Sequence, residues 1–108
     1  MRRGDVWTAA ARGACTGKPR PVVIVQDDRF DATTSVTVCP LTTDPVFAPL
    51  MRVVVAPDAA NGLREPSSLM VDKLTTMLRA SLGERLGHLS DQDMLRLARG
   101  LVVFLGVA

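Results

Sequence analysis

Residues 17–28 decide the fold, and they read Gly17-Lys18-Pro19-Arg20-Pro21-Val22-Val23-Ile24-Val25-Gln26-Asp27-Asp28. The apolar run inside this stretch is four residues long and contains only Val and Ile. A run this short and this rich in β-branched residues is typical of a strand covered on both faces, and it is too short for a helix. The stretch therefore predicts a core strand.

Arg20 stands at the entrance of this predicted strand between two prolines. Pro19 and Pro21 have a fixed φ, and a residue before proline favours extended backbone, so the guanidinium group is held in a defined place. A positioned arginine can bind a phosphate or a carboxylate through two hydrogen bonds. It can equally form an ion pair with a nearby aspartate, and both interpretations stay open at this point.

Length and composition describe a single globular domain over residues 1–108, with 47% hydrophobic and 22% charged residues. Aromatic residues are only 4% of the chain, which is few for a single-stranded nucleic-acid binder built on aromatic stacking. The net charge of +2 is too small to indicate a polyanionic partner. Five cations nevertheless lie in the first twenty residues, where they can attract phosphates or form a solvated basic face: Arg2, Arg3, Arg12, Lys18 and Arg20.

The sequence has no secretory apolar segment at its N-terminus and no apolar stretch of membrane length, so we expect a cytoplasmic protein without membrane contact. Cys15 and Cys39 could form one disulfide, but a reduced chain fits the cytoplasm better. Two isolated cysteines and the single histidine, His88, lack the spacing of metal ligands. We therefore expect neither a metal nor a cofactor.

Further strands are predicted by apolar alternation and by turn signals such as Asn61-Gly62. The first strand follows Gly4 and contains Trp7 as a core anchor, and residues 10–18 form a loop. The remaining predicted strands are 35–39, 51–56, 67–71 and 82–87. Pro40 is expected to stop the first of these strands. Residues 72–77 either continue the strand 67–71 or bend away from it.

The C-terminal segment predicts a helix that begins after Ser90, which can cap it together with Asp93, and that ends at Gly106. Its apolar residues recur at helical spacing and form a stripe that is either core or a dimer interface: Met94, Leu97, Ala98, Leu101, Val102 and Leu105. The whole pattern predicts a small, mainly antiparallel, barrel-like sheet closed by one helix.

Several catalytic motifs are absent, including a phosphate-binding glycine loop, a nucleophile-elbow serine and a pair of histidines for acid–base ribonuclease chemistry. Polar residues remain at the predicted strand ends: Arg20, Thr42, Thr43, Asp44, Asp72 and Lys73. Such residues are usually solvated. Together they could supply the base, the proton donor and the charge stabilisation that RNA cleavage without a metal requires.

The order and spacing of these motifs resemble the MazF/PemK (Kid) family of toxin endoribonucleases from type II toxin–antitoxin systems. The resemblance covers nearly the whole chain, and its motifs are Arg3-Gly4-Asp5-Val6-Trp7, Lys18-Pro19-Arg20-Pro21-Val22-Val23-Ile24-Val25, Val38-Cys39-Pro40-Leu41-Thr42-Thr43, Asn61-Gly62-Leu63 and Ser68-Leu69-Met70-Val71-Asp72-Lys73. The segment Arg-Pro-Val-Val followed by Pro-x-Thr-Thr is the most specific of them.

The resemblance implies an SH3-like small β-barrel of the CcdB/PemK type with a C-terminal helix, assembled as a homodimer. It implies a metal-independent, sequence-specific endoribonuclease that cleaves single-stranded RNA through a 2′,3′-cyclic phosphate and thereby inhibits translation and growth. It also implies a cognate antitoxin, whose acidic C-terminal tail lies in the dimer groove and blocks the RNA site.

Among the site residues, the resemblance makes Arg20 the catalytic arginine and Thr42 the catalytic threonine. Asp72 matches a candidate general base, but Met70 stands where PemK-type members have an arginine, which weakens the case for Asp72. We expect RNA contacts from Arg12, Lys18, Arg20, Thr43 and Lys73. The loop over residues 12–18 lacks a carboxylate that many members carry, so the recognised RNA sequence is not predicted.

Two alternatives share the expected fold. A CcdB-like poison of DNA gyrase is disfavoured because its C-terminal Trp-Gly-Ile signature is absent, and the chain ends Phe104-Leu105-Gly106-Val107-Ala108. A non-catalytic SH3-like binding module would not need Arg20 and Thr42 at neighbouring strand ends.

Overall fold

The computed structural model describes residues 1–10, 19–45, 48 and 50–107. Within them the chain forms seven β-strands, short 3₁₀ turns and one α-helix, α1 (Asp91–Leu105). The strands are β1 (Asp5–Ala9), β2 (Arg20–Ile24), β3 (Ser35–Thr42), β4 (Arg52–Val55), β5 (Ser67–Met70), β6 (Thr75–Leu78) and β7 (Leu82–His88). Most of the predicted loop over residues 10–18, including Arg12, Cys15 and Lys18, lies outside the described residues.

The strands form one antiparallel sheet in the order β4-β5-β3-β2-β1-β7, and β6 also pairs with β3. One edge of β3 lies along β2, while its other edge is shared between β6 near Ser35 and β5 at Leu41 and Thr42. A 3₁₀ turn, Val71–Lys73, bends the chain from β5 into β6. The sheet curls into a barrel-like form, which confirms the predicted SH3-like fold with a C-terminal helix.

Pro40 does not stop β3, and this part of the sequence prediction is wrong, because β3 continues to Thr42. The Val25 N–H donates to the Thr37 carbonyl, so the hydrogen-bonded pairs with β2 fall on odd-numbered residues of β3. The nitrogen of Pro40 therefore faces the other edge of β3, at the gap between the end of β5 and the start of β6. The missing N–H costs no ladder hydrogen bond at that place.

Alternate residues of the central strands point into two separate apolar clusters, one on each face of the sheet. The cluster without α1 residues, which we call the barrel cluster, consists of Ala9, Val22, Ile24, Val36, Val38 and Leu82. The cluster on the other face is covered by α1 and includes Val23, Cys39, Leu41, Leu69 and Leu97. Trp7 is half-buried against the barrel cluster.

Helix α1 begins and ends as the sequence predicts. The Asp93 N–H donates to the Ser90 hydroxyl at 3.1 Å, and Gly106 ends the helix at a φ of +70°. Leu97 is fully buried and Met94 and Leu101 pack beside it, whereas Val102 and Leu105 of the predicted stripe are exposed. No helix in the described part of the chain is long and apolar enough to cross a membrane.

The segment between β4 and β5 is ordered internally by the buried side chain of Asn61, and it is held against β7 by the His88 N–H, which donates to the Ala60 carbonyl at 2.9 Å. The Asn61 amide nitrogen donates to the Ala56 carbonyl at 2.9 Å, and its amide oxygen accepts the N–H groups of Asp58 and Leu63. Gly62 has a φ of +70° and lies so close to the Leu86 carbonyl that a side chain there would collide with it. The predicted Asn61-Gly62 turn is therefore a fixed feature of the surface.

Candidate active site

Arg20 and Thr42 meet at one end of the sheet. The paired register of β2 and β3 ends at Val22 and Pro40, and Arg20 and Thr42 each lie two residues beyond this pair. Because side chains alternate along a strand, Arg20 shares a face with Val22 and Thr42 shares a face with Pro40, so both side chains lie on the same face of the sheet. The two proposed catalytic residues are thus neighbours on rigid strands.

Ser68 and Val54 continue the same row across β5 and β4, since Thr42 pairs with Ser68 and Ser68 pairs with Val54. Thr42, Ser68 and Val54 line a groove of about 340 Å³, which we call the site groove. Its rim carries Thr43, Asp44 and Glu65, and Thr43 is exposed. The site groove is open to a chain that crosses the ends of the strands.

The Thr42 hydroxyl has a fixed orientation, because its oxygen accepts a hydrogen bond of 3.2 Å from the Asp44 N–H. A threonine hydroxyl has one hydrogen to donate besides its acceptor lone pairs. Accepting from Asp44 leaves that hydrogen free to be donated to a ligand. Thr42 can therefore donate a hydrogen bond to a phosphate oxygen.

Arg20 is exposed, and the ion pairs of the described residues do not include it. The alternative that it is engaged by a nearby aspartate finds no support in the described structure. Its guanidinium group is always charged and offers five N–H donors. The site therefore presents an exposed cation and an oriented hydroxyl on the same face of the sheet.

Asp72 and Lys73 lie in the turn after β5, away from this pair. Since β5 runs antiparallel to β3, residues that follow Met70 are progressively further from Thr42 along the sheet. Lys73 is exposed, whereas the side chain of Asp72 is only 20% exposed. The structure thus brings together Arg20, Thr42 and Thr43 and leaves Asp72 and Lys73 in a second group.

The carboxylate of Asp72 is bound by Arg52 through two hydrogen bonds, from Nε to Oδ1 at 3.0 Å and from Nη2 to Oδ2 at 3.2 Å. These hydrogen bonds hold the pKa of Asp72 below its ordinary value. A carboxylate of lowered pKa is a weaker proton acceptor, and here both of its oxygens are already occupied. The geometry therefore disfavours Asp72 as the general base.

Cys39 and His88 offer no second catalytic group at the site. Burial, and then the nearby charge of Asp72, raise the pKa of the Cys39 thiol to about 12, so it is not a nucleophile at neutral pH. His88 is paired with Asp5, at the end of β1 opposite to the end where Ala9 pairs with Arg20. The described residues contain no group of three or more His, Cys, Asp or Glu that could hold a metal ion.

Sequence reasoning missed Arg52, which pairs with Met70 across β4 and β5 and lies on the same face as Thr42. The sequence feature that could have identified Arg52 is its position as the single cation in the otherwise apolar strand β4. It also missed Ser68 and Glu65 in the site groove, because their approach to Thr42 depends on strand pairing. Arg12 and Lys18, two of the predicted RNA contacts, lie outside the described residues.

Comparison with known proteins agrees with this architecture. The chain is 62% identical over 108 residues to a probable endoribonuclease MazF of Mycolicibacterium smegmatis, covering 100% of this chain and 99% of the relative. Among solved structures, the toxin MazF-mt6 of Mycobacterium tuberculosis is 28% identical with a TM-score of 0.79, over 94% of this chain and 96% of that one.

A mycobacterial endoribonuclease in complex with its cognate antitoxin has the same fold, with a TM-score of 0.81 at 24% identity, over 100% of this chain and 97% of that one. The model of the family described as the PemK-like, MazF-like toxin of type II toxin–antitoxin systems matches residues 2–105. With this match across almost its whole length and a relative of such high identity, the chain belongs to the PemK-like, MazF-like toxin family.

Proposed function

We propose that this protein, the toxin endoribonuclease of a type II toxin–antitoxin system, cleaves single-stranded RNA without a metal ion and through a 2′,3′-cyclic phosphate. The observation that carries the proposal is the position of Arg20 and Thr42, which share one face of the sheet and each lie two residues beyond the last pair of β2 and β3, Val22 and Pro40. A cation and a hydroxyl donor side by side suit a phosphate whose negative charge increases during the reaction.

The reaction forms one bond and breaks one bond at phosphorus. The 2′-oxygen attacks the phosphorus while its proton passes to a base, and the bond from phosphorus to the 5′-oxygen breaks as that oxygen takes up a proton. The products are a 2′,3′-cyclic phosphate and a 5′-hydroxyl. Arg20 stabilises the phosphorane charge, and Thr42 donates its hydroxyl hydrogen to a phosphate oxygen.

Arg20 is also our candidate for the proton donor to the leaving 5′-oxygen, because its guanidinium group offers several N–H donors at the same phosphate. We leave the general base unassigned. The ion pair with Arg52 lowers the pKa of Asp72 and argues against this carboxylate. Thr43, Lys73, Lys18 and Arg12 remain proposed RNA contacts that attract or position the strand.

Three further properties belong to the same proposal. Apolar side chains at the end of α1 are exposed in the single chain, which suits a homodimer: Val102, Val103, Phe104 and Leu105. The partner is a cognate antitoxin whose acidic tail competes with RNA for the exposed Arg20. The protein acts in the cytoplasm, where messenger RNA and a newly made antitoxin are both present.

The family match favours this function over the two alternatives on the same fold, the gyrase poison and the non-catalytic module. Neither alternative gives Arg20 and Thr42 a chemical role, whereas a ribonuclease uses both residues at the scissile phosphate.

The experiment is cleavage of a mixed-sequence RNA in excess EDTA, with every new end sequenced and its terminus identified. We expect discrete cuts that leave cyclic phosphates and 5′-hydroxyls. Arg20→Ala should lower the rate by at least about a hundredfold, as the loss of a charge-stabilising donor does in other enzymes. Thr42→Val, which keeps the shape and removes the hydroxyl, should slow cleavage strongly.

The matched control is Arg99→Ala, because Arg99 is an equally exposed arginine on α1. Its cleavage should equal that of the unchanged protein. Intact RNA in the presence of the folded protein would contradict the proposed activity. Undiminished cleavage by Arg20→Ala would remove Arg20 from the mechanism.

A further inference from the structure

A second groove lies beside the site groove, on the α1 side of the same strand ends. This side groove has a volume of about 450 Å³, and it lies between Pro19 and Pro21 of the β2 entrance, the segment after Gly62 and the β7 residues Glu84 and Leu86. Ligand clefts in proteins begin at about 300 Å³, so the side groove can hold one nucleobase with its sugar.

The two grooves share a ridge formed by Thr43, Glu65 and Ser67. Thr43 follows Thr42 directly, so the ridge borders the place where the scissile phosphate is proposed to lie. An RNA strand bound there has one nucleotide on each side of that phosphate. One of the two can cross the ridge into the side groove.

The walls of the side groove suit the flat face of a base. Pro19, Pro21, Leu63 and Leu86 contribute apolar surface. A base buries its π-face well against such surface, and this contact does not depend on which base is bound. Selection between bases must therefore come from the polar rim.

Two carboxylates, Glu65 and Glu84, lie on that rim, and both are exposed. Their backbones are fixed: the Glu84 N–H donates to the Thr8 hydroxyl at 2.9 Å, and the Ser67 hydroxyl donates to the Glu65 carbonyl at 3.0 Å. Neither carboxylate belongs to an ion pair of the described residues.

Ionised carboxylates only accept hydrogen bonds, and they repel phosphate. Arg64 also lines the groove and can attract a phosphate, whereas the positions beside Glu65 and Glu84 favour a base that donates N–H groups. Adenine, cytosine and guanine each carry an exocyclic amino group that can donate to a carboxylate, as cytosine N4 does to Glu or Asp. Uracil has no amino group, and its one N–H lies between two carbonyl oxygens that a carboxylate repels.

We propose that the side groove is a base-selective subsite that takes a nucleobase next to the scissile phosphate and selects amino-bearing bases over uracil through Glu65 and Glu84. The subsite rests on the proposed ribonuclease activity. In this proposal, the contacts of the base with Glu65 and Glu84 determine one position of the recognised RNA sequence.

The test sequences the cut sites in a library of RNA with all four bases at every position, using the unchanged protein, Glu65→Gln and Glu84→Gln. We expect uracil to be depleted at one position next to the cut. A glutamine amide can donate to a uracil carbonyl, so at least one of the variants should raise cleavage at uracil-containing sites about tenfold relative to cytosine-containing ones. Total cleavage should persist in Glu84→Gln, because Glu84 lines the side groove and not the site groove. Glu65 lines both grooves, so Glu65→Gln is judged by its base profile and not by its total rate.

The control is Asp31→Asn, which neutralises an exposed carboxylate at the opposite end of the sheet and should leave the base profile unchanged. Vigorous cleavage that tolerates uracil on both sides of the cut would overturn the subsite and leave the ribonuclease standing. An unchanged profile in both glutamine variants would do the same. If the folded protein cleaves no RNA, the activity and the subsite are both overturned.

Discussion

Arg20 and Arg52 lie on the same face of the sheet but differ in what holds them. Arg20 is exposed and outside the ion pairs of the described residues, whereas the side chain of Arg52 is 12% exposed and bound to Asp72 by two hydrogen bonds. A cation that is already paired contributes little new charge to a ligand. The difference leaves Arg20 available to a phosphate, in line with its proposed role, whereas Arg52 holds Asp72.

The pair of Asp72 with Arg52 leads to a prediction about pH and stability. A folded-state pKa that is lowered stabilises the protein above the unfolded-state pKa of about 4, and this stability is lost as the pH falls through the folded value. Asp72→Asn should therefore destabilise the protein by about 1 kcal/mol at neutral pH. The difference in melting temperature from the unchanged protein should shrink below about pH 4.

RNA cleavage by Asp72→Asn discriminates between the two roles of this carboxylate. If Asp72 acts only through Arg52, the variant retains cleavage within severalfold of the unchanged protein at a temperature where both are folded. Loss of all cleavage by a folded variant would restore Asp72 as the general base. Asp31→Asn, which lies far from Arg52 in the sheet, is the control for removing an exposed negative charge.

At the scale of single elements, sequence patterns predicted most of the strands because their apolar residues alternate or run together. The continuation of β3 through Pro40 was not predictable, since it depends on where β5 ends and β6 begins. Ser68 and Glu65 were missing from the predicted site because their approach to Thr42 also depends on strand pairing. Strand pairing brings residues together that local pattern leaves far apart.

In helix α1, too, sequence patterns predicted the local features but not the tertiary contacts. Its start, its end and its apolar stripe are local properties, and the cap at Ser90 and the fully buried Leu97 agree with them. Which end of the stripe is covered depends on how far the sheet extends beneath the helix. Val102 and Leu105 lie beyond that cover and are exposed.

Leu97 should therefore dominate the packing of α1 on the sheet. Leu97→Ala removes a fully buried side chain from the cluster beneath the helix, and such truncations cost about 2–5 kcal/mol. Thermal unfolding should show a large fall in melting temperature. Leu95→Ala is the matched control, because Leu95 is 52% exposed on the same helix, and a comparable loss in that variant would contradict the packing described here.

At the scale of the whole molecule, the sheet separates two apolar clusters, and the proposed catalytic residues Arg20 and Thr42 lie where the barrel cluster ends. Ala9, on the same face as Arg20, belongs to that cluster, so the site has a rigid base. The apolar run in β2 and the alternation in β3 predicted two strands with Arg20 and Thr42 near their ends, but not the two clusters. The grooves on either side of the strand ends required the three-dimensional course of the segment after Gly62.

The exposed end of α1 leads to a prediction about assembly. Val103 and Leu105 are 56% and 57% exposed, and Val107 after the helix is 71% exposed. Neighbouring apolar side chains on a surface are typical of an interface between proteins. Because an isologous contact uses the same patch twice, one charge introduced there acts on both chains of a dimer.

Leu105→Lys should accordingly convert a dimer into monomers while leaving each chain folded, since Leu105 contributes little to the core of its own chain. Sedimentation at several concentrations measures the mass, and circular dichroism checks the fold. Gln92→Lys places the same charge on the exposed first turn of α1 and should remain dimeric. If the unchanged protein sediments as a monomer at micromolar concentration, or if Leu105→Lys stays dimeric, this end of α1 is not the interface. If the monomeric Leu105→Lys variant also loses RNA cleavage, although its Arg20 and Thr42 are unaltered, RNA binding in the site groove depends on the second chain.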